Sequence, residues 1–294
     1  MDAPRYESTR RLRRAVAGSL APYRGAYTVL EGLAVLGFHS GVFALVAGGA
    51  WTLARFSPAA GLFTYPFVLF LLGSRMRAFG NILHETAHRS FFRSARANRL
   101  LGCLLALLDL QDFDAYVRDH RSHHSHLGVA GRDRDFAVRA RFGFDVRGPS
   151  PFAQHILRPL TLFHLSAYLD PRVWVRGESG PWRTLRLAWA VGLACTLALF
   201  PAPTVLLVLF PYITSYQVLR YWSDALDHAG ALGDPDAFLR TRNHAFRSRL
   251  ANLVVFPRND AWHLVHHLFP SLPARAFPAL HSEVLMRQEI YARR

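Results

Sequence analysis

The sequence predicts an all-α integral membrane protein in which four transmembrane helices sit beneath a cytoplasmic helical cap, and three observations predict it. Of 294 residues, 51% are hydrophobic and 19% charged, too apolar for an average soluble domain and too polar to lie wholly in lipid. Two pairs of apolar runs approach the roughly twenty residues a helix needs to cross a bilayer. Three histidine clusters stand outside those runs: His84-Glu85-Thr86-Ala87-His88, His120-Arg121-Ser122-His123-His124 and His263-Leu264-Val265-His266-His267. No repeat, low-complexity tract or linker divides the chain, so 1–294 reads as one domain.

The elements follow in order. Residues 1–28 form a cytoplasmic tail, because Met1 to Leu20 is arginine-rich and lacks the apolar core and small-residue cleavage site of a signal peptide. The first span covers 29–53, with Glu31 near its start and His39 packed further in. A second, 58–74, ends at Arg75 and Arg77, whose stems can snorkel to the interface. If that helix continues, His84 and His88 lie about 10 to 20 Å beyond the arginines. Leu100 to Leu110 and Phe152 to Leu169 are too short or too mixed to cross, and read as interfacial or buried helices. Spans 185–200 and 204–222 are parted by Pro201-Ala202-Pro203, which suits a tight hairpin. The tail carries Arg5, Arg10, Arg11, Arg13 and Arg14, whereas the first loop has only Arg55 and the Pro201 turn has no charge. Positive residues stay inside, so both termini and all three histidine clusters are expected on the cytoplasmic side, in a bacterial inner membrane.

The net charge of +15 comes from 35 arginines, since lysine is absent. It favours anionic headgroups and acidic protein partners. Nucleic acid is excluded as a partner because the arginines are scattered between apolar segments without a binding motif. Two cysteines, Cys103 and Cys195, lie in apolar runs where a thiol packs as a small hydrophobe. They exclude a disulfide framework, a cysteine zinc site and an iron–sulfur cluster.

Positions i, i+3 and i+4 share one helix face, so His120, His123 and His124 can converge, as can His263, His266 and His267, with His84 and His88 as an i, i+4 pair. Imidazole suits iron, copper, zinc and nickel, and eight ligands exceed one tetrahedral zinc, which implies two metals. Two other classes remain. His84-Glu85-Thr86-Ala87-His88 matches a zinc metalloprotease pattern with Glu85 as general base, though it leaves two clusters unexplained; a membrane metal carrier would also use clustered histidines.

These three clusters, the third extended as Trp262 to Pro270, resemble the histidine boxes of the membrane fatty acid desaturase superfamily. Arg240-Thr241-Arg242 and Pro273 with Leu280-His281 add to the likeness. The resemblance implies a non-haem di-iron centre, O2 as co-substrate, and desaturation, or hydroxylation by the same centre, of a lipid or acyl thioester substrate, the latter on coenzyme A or a carrier protein. It implies a further ligand, His228, just after the fourth span. The acyl-CoA branch has an asparagine four residues before that histidine, where this chain has Asp224. By that resemblance Asp224 would be an anionic outer ligand that shifts the metal's potential or binds iron directly, while Asn259, Asp133 and Asp135 are candidates to contact the metals' ligands from behind. His126 points off the ligand face, and His155, His164, His244 and His281 read as structural. Electrons would come from a separate ferredoxin, rubredoxin or cytochrome b5.

Overall fold

The computed structural model describes residues 5–146, 148, 150–169 and 180–293; the first four residues of the expected tail lie outside the described residues. Every regular element among the described residues is helical, and two isolated β-bridges, Arg5 to Asp236 and Tyr27 to Phe92, tie loops together. The tail is not a free arm. It forms α1 (Glu7–Val16), whose Leu12 and Val16 enter a core with Leu264, Val265 and Leu268.

Helix α2 (Val29–Phe56) starts at a capping box, with Thr28 and Glu31 exchanging hydrogen bonds. Glu31 is thus the capping residue of the helix start, which explains a carboxylate at the edge of an apolar run. After Ser57 alone the chain reverses into α3 (Pro58–Ala87), which begins with proline at its first turn. Gly61 lets the pair approach, since a Cβ there would lie 2.7 Å from Ala54 Cα. The second span therefore belongs to a helix that runs 13 residues past 74, to Ala87, and carries the first histidine cluster.

Arg75 and Arg77 do not snorkel. Arg75 is 3% exposed and donates to the Leu253 carbonyl at 2.5 Å, and Arg77 forms a two-pronged ion pair with Asp260. Both bind the returning cap rather than lipid headgroups.

Helices α4 (Ala95–Leu108) and α5 (Phe113–His126) start at Ser94 and Asp112, which cap Ala97 N–H and Ala115 N–H. Leu100, Leu104 and Leu108 form an exposed stripe on α4 while Cys103 and Ala106 are buried, as expected of an interfacial helix. A short α6 (Phe136–Arg141) follows. Segment 152–169 is a broken series of turns, with Phe152, Leu157 and Leu160 exposed and His155 and His164 buried.

Helix α7 (Gly180–Leu199) turns at Phe200 into α8 (Pro201–His228), which widens into π-turns at Val205–Leu209 and Tyr212–Tyr216. Three helices, α2, α3 and α8, are long and apolar enough to cross a membrane. The expected span 185–200 lies within α7, where Arg183 and Arg186 keep the helix short of that measure, and Arg186 reaches Asp112 at 3.5 Å. Cys195 is exposed on this helix, whereas Cys103 is buried, so only one thiol packs as a core residue. The chain continues with α9 (Arg249–Val255), α10 (His263–Leu268) and α11 (Phe277–Glu283), followed by a single helical turn, Glu289–Ala292.

Candidate metal centre

Each histidine cluster occupies a helix end. His84 lies in the last turn of α3 and His88 caps it; His120, His123 and His124 lie near the end of α5; His263, His266 and His267 lie on α10; His228 ends α8. Packing of these four helices gathers nine imidazoles into two groups. His84, His88, His120, His124 and His266 offer ring nitrogens within 4.8 Å of one another, and so do His123, His228, His263 and His267. In the first group, Nε2 of His120 lies 2.7, 2.8 and 3.0 Å from Nε2 of His84, His88 and His124, and His124 lies 2.9 Å from His266. In the second, Nε2 of His263 lies 3.1 Å from that of His228 and 3.0 Å from that of His267.

The tautomers explain why this arrangement fits a metal. His228 Nδ1 faces the Arg240 carbonyl at 3.1 Å, and a carbonyl only accepts, so the proton is on Nδ1 and the lone pair on Nε2. His123 Nδ1 stands between Asp133, at 3.1 Å, and Arg139 Nη1, at 3.0 Å, and its buried Nε2 has no partner. His263 Nδ1 lies 3.3 Å from Asp227. Lone pairs converging on one another repel, and a cation between them removes the repulsion. Nitrogens bound at 2.0–2.1 Å with a right angle between them stand about 2.9 Å apart, against about 3.4 Å in a tetrahedron. The closest pairs, 2.7 to 3.1 Å apart, are compatible with a right-angled set, the ring nitrogens of each group lying within 4.8 Å of one another. Five imidazoles in one group also exceed a tetrahedron, so the donor set does not fit a tetrahedral structural zinc and suits a metal of higher coordination number.

Burial pushes His88, His120, His124, His263, His266 and His267 well below the ordinary histidine value, and neighbouring imidazoles add to the effect. These rings are neutral and ready to coordinate. Burial alone would raise the Asp133 carboxyl, but His123, Arg139 and the Gly128 N–H outweigh it and hold the group well below the usual range.

The expected supporting residues fall in different places. Asp133 is buried against His123 as described, and Asp135 pairs with Arg139 at 3.5 Å rather than with Arg132 or Arg134. Asp224 accepts two hydrogen bonds from Arg139, at 2.8 and 2.9 Å. Asn259 donates to the Ala274 carbonyl; its four-residue spacing to His263 is not helical, because α10 only begins at His263. His126 joins neither group. Glu85 has both oxygens occupied, one by Arg258 at 2.7 Å and the other by the Ala274 N–H, so it is not placed as a free base.

Sequence reasoning does not single out Asp227, and it reads His244 as structural. The buried Asp227 carboxylate spans His263 on one oxygen and His244 Nε2, at 2.8 Å, on the other. The signal was present: an acid directly before His228, pointing about 100° round the helix from it toward a different partner. Beside the two groups lies a cavity of roughly 270 Å³ that reaches His84, His120 and His263.

Fold and site together define a helical, membrane-associated protein with a histidine-rich metal-binding cluster. The family model for fatty acid desaturases matches residues 60–293. Similar proteins include a dihydrorhizobitoxine desaturase of Bradyrhizobium elkanii, 29% identical over 76% of this chain and 68% of its own length. A chloroplastic omega-3 fatty acid desaturase of Glycine max is 26% identical over 86% of this chain and 58% of its own. A chloroplastic sn-2 acyl-lipid omega-3 desaturase (ferredoxin) of Helianthus annuus is 24% identical over 86% and 59%. The chain spans under two thirds of the two chloroplastic relatives. It belongs to the fatty acid desaturase family, a family of oxidoreductases.

Proposed function

We propose that this protein is an O2-dependent di-iron desaturase. The observation that carries the proposal is the pair of histidine groups with Nε2 atoms 2.7 to 3.1 Å apart. His84, His88, His120, His124 and His266 would hold one iron, and His123, His228, His263 and His267 the other. When bound, the two irons supply O2 activation and the oxidising power to break an unactivated C–H bond. The balance is one R–CH2–CH2–R′ with one O2, two electrons and two protons, giving R–CH=CH–R′ and two waters. Hydroxylation of the same substrate would use the same electrons and yield an alcohol and one water.

The chain's own residues prepare the site. The Arg240 carbonyl takes the outer N–H of His228, and Asp133 and Asp227 stand against the outer nitrogens of His123 and His263, so the three rings keep their Nε2 atoms turned inward. Tyr116 stacks on His120 at 5.7 Å and blocks rotation of that ring. Helix α1 covers the far side, with Arg13 donating to the carbonyls of His267 and Leu268. That contact supports a common side for tail and histidines. Our topology is four spans, α7 included, in a bacterial inner membrane, with both termini and the cap cytoplasmic. Electrons would come from a ferredoxin, rubredoxin or cytochrome b5. A zinc protease reading loses its base with Glu85 engaged.

Expression followed by metal analysis and mass spectrometry tests the proposal. The expected product has lost two hydrogens; a gain of one oxygen would mark a hydroxylase. His124→Ala and His266→Ala should lose product and iron together, and full activity with full iron in either variant would sink the assignment. Labile metal without O2 consumption would indicate a carrier.

A further inference from the structure

We infer that the substrate is a compact molecule bearing a carboxylate, not a long alkyl chain. The inference rests on the di-iron proposal for its chemistry and on the cavity for its ligand class. At roughly 270 Å³ the cavity is at the small end of ligand sites, which run about 300–1,000 Å³. Its walls carry three arginines and six aspartates. An alkyl chain laid along them would strip water from charged groups and return no hydrogen bond.

Two of the three arginines are saturated: Arg77 by Asp260, and Arg139 by Asp224. Arg220 is different. Its side chain is 20% exposed and makes no hydrogen bond among the described residues, and its Nη1 stands 3.7 Å from Asp109. Asp109, the partner in that long ion pair, also accepts from the Tyr216 hydroxyl at 2.6 Å and from Gln111. The Tyr168 ring supports the guanidinium from 4.6 Å, and the Tyr168 hydroxyl is itself buried without a partner. The guanidinium thus has one long ion pair and no hydrogen bond among the described residues, and its planar five-donor fork suits a carboxylate.

Position sets the length of the molecule. Arg220 and Asp227 are seven residues apart on α8, about 10 Å at 1.5 Å per residue, and Asp227 touches His263. With C–C bonds of about 1.5 Å, the carbon to be oxidised lies within about ten bonds of the carboxylate. Asp224, one turn from Arg220 on the same cavity wall, can meet an amino or hydroxyl group beside that carboxylate.

The test is binding, read by shift of the thermal midpoint of detergent-purified protein whose iron content is measured in the same sample. Hexanoate is the probe, with hexanol and stearate for comparison. Hexanoate should stabilise saturably, hexanol should not, and stearate should gain nothing from its longer chain. Arg220→Leu should weaken hexanoate about tenfold or more, and Arg220→Lys by less, since the charge survives without the fork. Should Arg220→Leu fail to fold, Arg220→Lys decides: several-fold weaker binding supports the assignment and unchanged affinity overturns it. Absent hexanoate binding, or stearate binding about tenfold tighter than hexanoate, also overturns it. Iron-replete protein that ignores hexanoate defeats this inference alone; iron-free protein that binds hexanoate defeats the di-iron proposal alone.

Discussion

Asp227 offers the sharpest test of how the chain holds its imidazoles. The carboxylate is 3% exposed, with Oδ1 2.8 Å from His244 Nε2 and Oδ2 3.3 Å from His263 Nδ1. Asp227→Asn keeps the shape but turns one acceptor into an NH2 that faces an N–H, so one of the two rings loses its partner. Removing an outer partner of a metal-binding histidine lowers metal affinity about 10- to 100-fold, or about 1.4–2.7 kcal/mol. Leaving a buried donor unsatisfied also costs the fold about 1–3 kcal/mol, a separate loss that appears as a lowered thermal midpoint. The assay is titration of purified, iron-loaded protein with a chelator, counting retained iron, with circular dichroism to confirm equal helicity. The chelator midpoint should fall by one to two orders of magnitude, as those affinities require. An unchanged midpoint with unchanged helicity would refute the assignment of Asp227 as the group that holds His263.

Glu85→Gln leaves Arg258 charged and buried without its partner, which should destabilise the fold by about 3–5 kcal/mol while iron content per folded chain stays at the wild-type level; parallel loss of iron would place Glu85 at the metals instead. Acidification has a definite sign. The imidazoles of His88, His120 and His124 are depressed below their ordinary value of 6.5, mainly by burial, so above about pH 6.5 neither folded nor unfolded chain binds protons there. Below that value the unfolded chain gains protons that the site refuses, and both stability and metal affinity fall. Burial pushes the single Asp227 carboxyl up to about 7, which favours the folded chain on acidification, but several imidazoles outweigh one carboxyl; thermal midpoint and iron content should therefore hold from about pH 7 to 8.5 and drop toward pH 5, and constancy down to pH 5 would contradict burial as the cause. Gly102→Ala places a methyl into the Phe113 ring and 2.8 Å from Thr86 Oγ1, and should cost about 1–3 kcal/mol by overpacking, read as a lowered thermal midpoint that Phe113→Leu partly restores.

The histidines were legible because helical spacing is a local property: His120, His123 and His124 need only stay on one helix to converge. What spacing cannot carry is the partner that returns from far along the chain. Arg75 and Arg77 looked like interfacial arginines, yet their acceptors, the Leu253 carbonyl and Asp260, lie 178 and 183 residues away. The same holds for Glu85 and Arg258, separated by 173 residues. Asn259 shows the opposite failure. An i, i+4 relation to His263 requires one continuous helix, and Trp262, with φ −92° and ψ 44°, breaks it.

Asp224 is the position where this chain leaves the acyl-CoA pattern, and its neighbours give the departure a physical basis. An aspartate in place of an asparagine adds a negative charge to a largely buried wall, which is unfavourable without a counter-charge. Arg139 supplies it: the guanidinium holds Asp224 through Nε and Nη2 while its Nη1 stands 3.0 Å from His123 Nδ1 and 3.5 Å from Asp135. The arginine is kept strongly protonated, because the attraction of Asp224, Asp135 and Asp133 overcomes the burial that opposes it. One side chain thus joins the cavity wall to the face of the histidine that carries the orphan Nε2. Changing Asp224 to a neutral residue would remove both hydrogen-bonded contacts of Arg139 Nε and Nη2 and leave it the longer pair with Asp135, so the aspartate sets where the guanidinium sits beside His123. The charge on the cavity wall and the orientation of the His123 ring are then set together, which ties the polar character of the cavity to the metal centre itself.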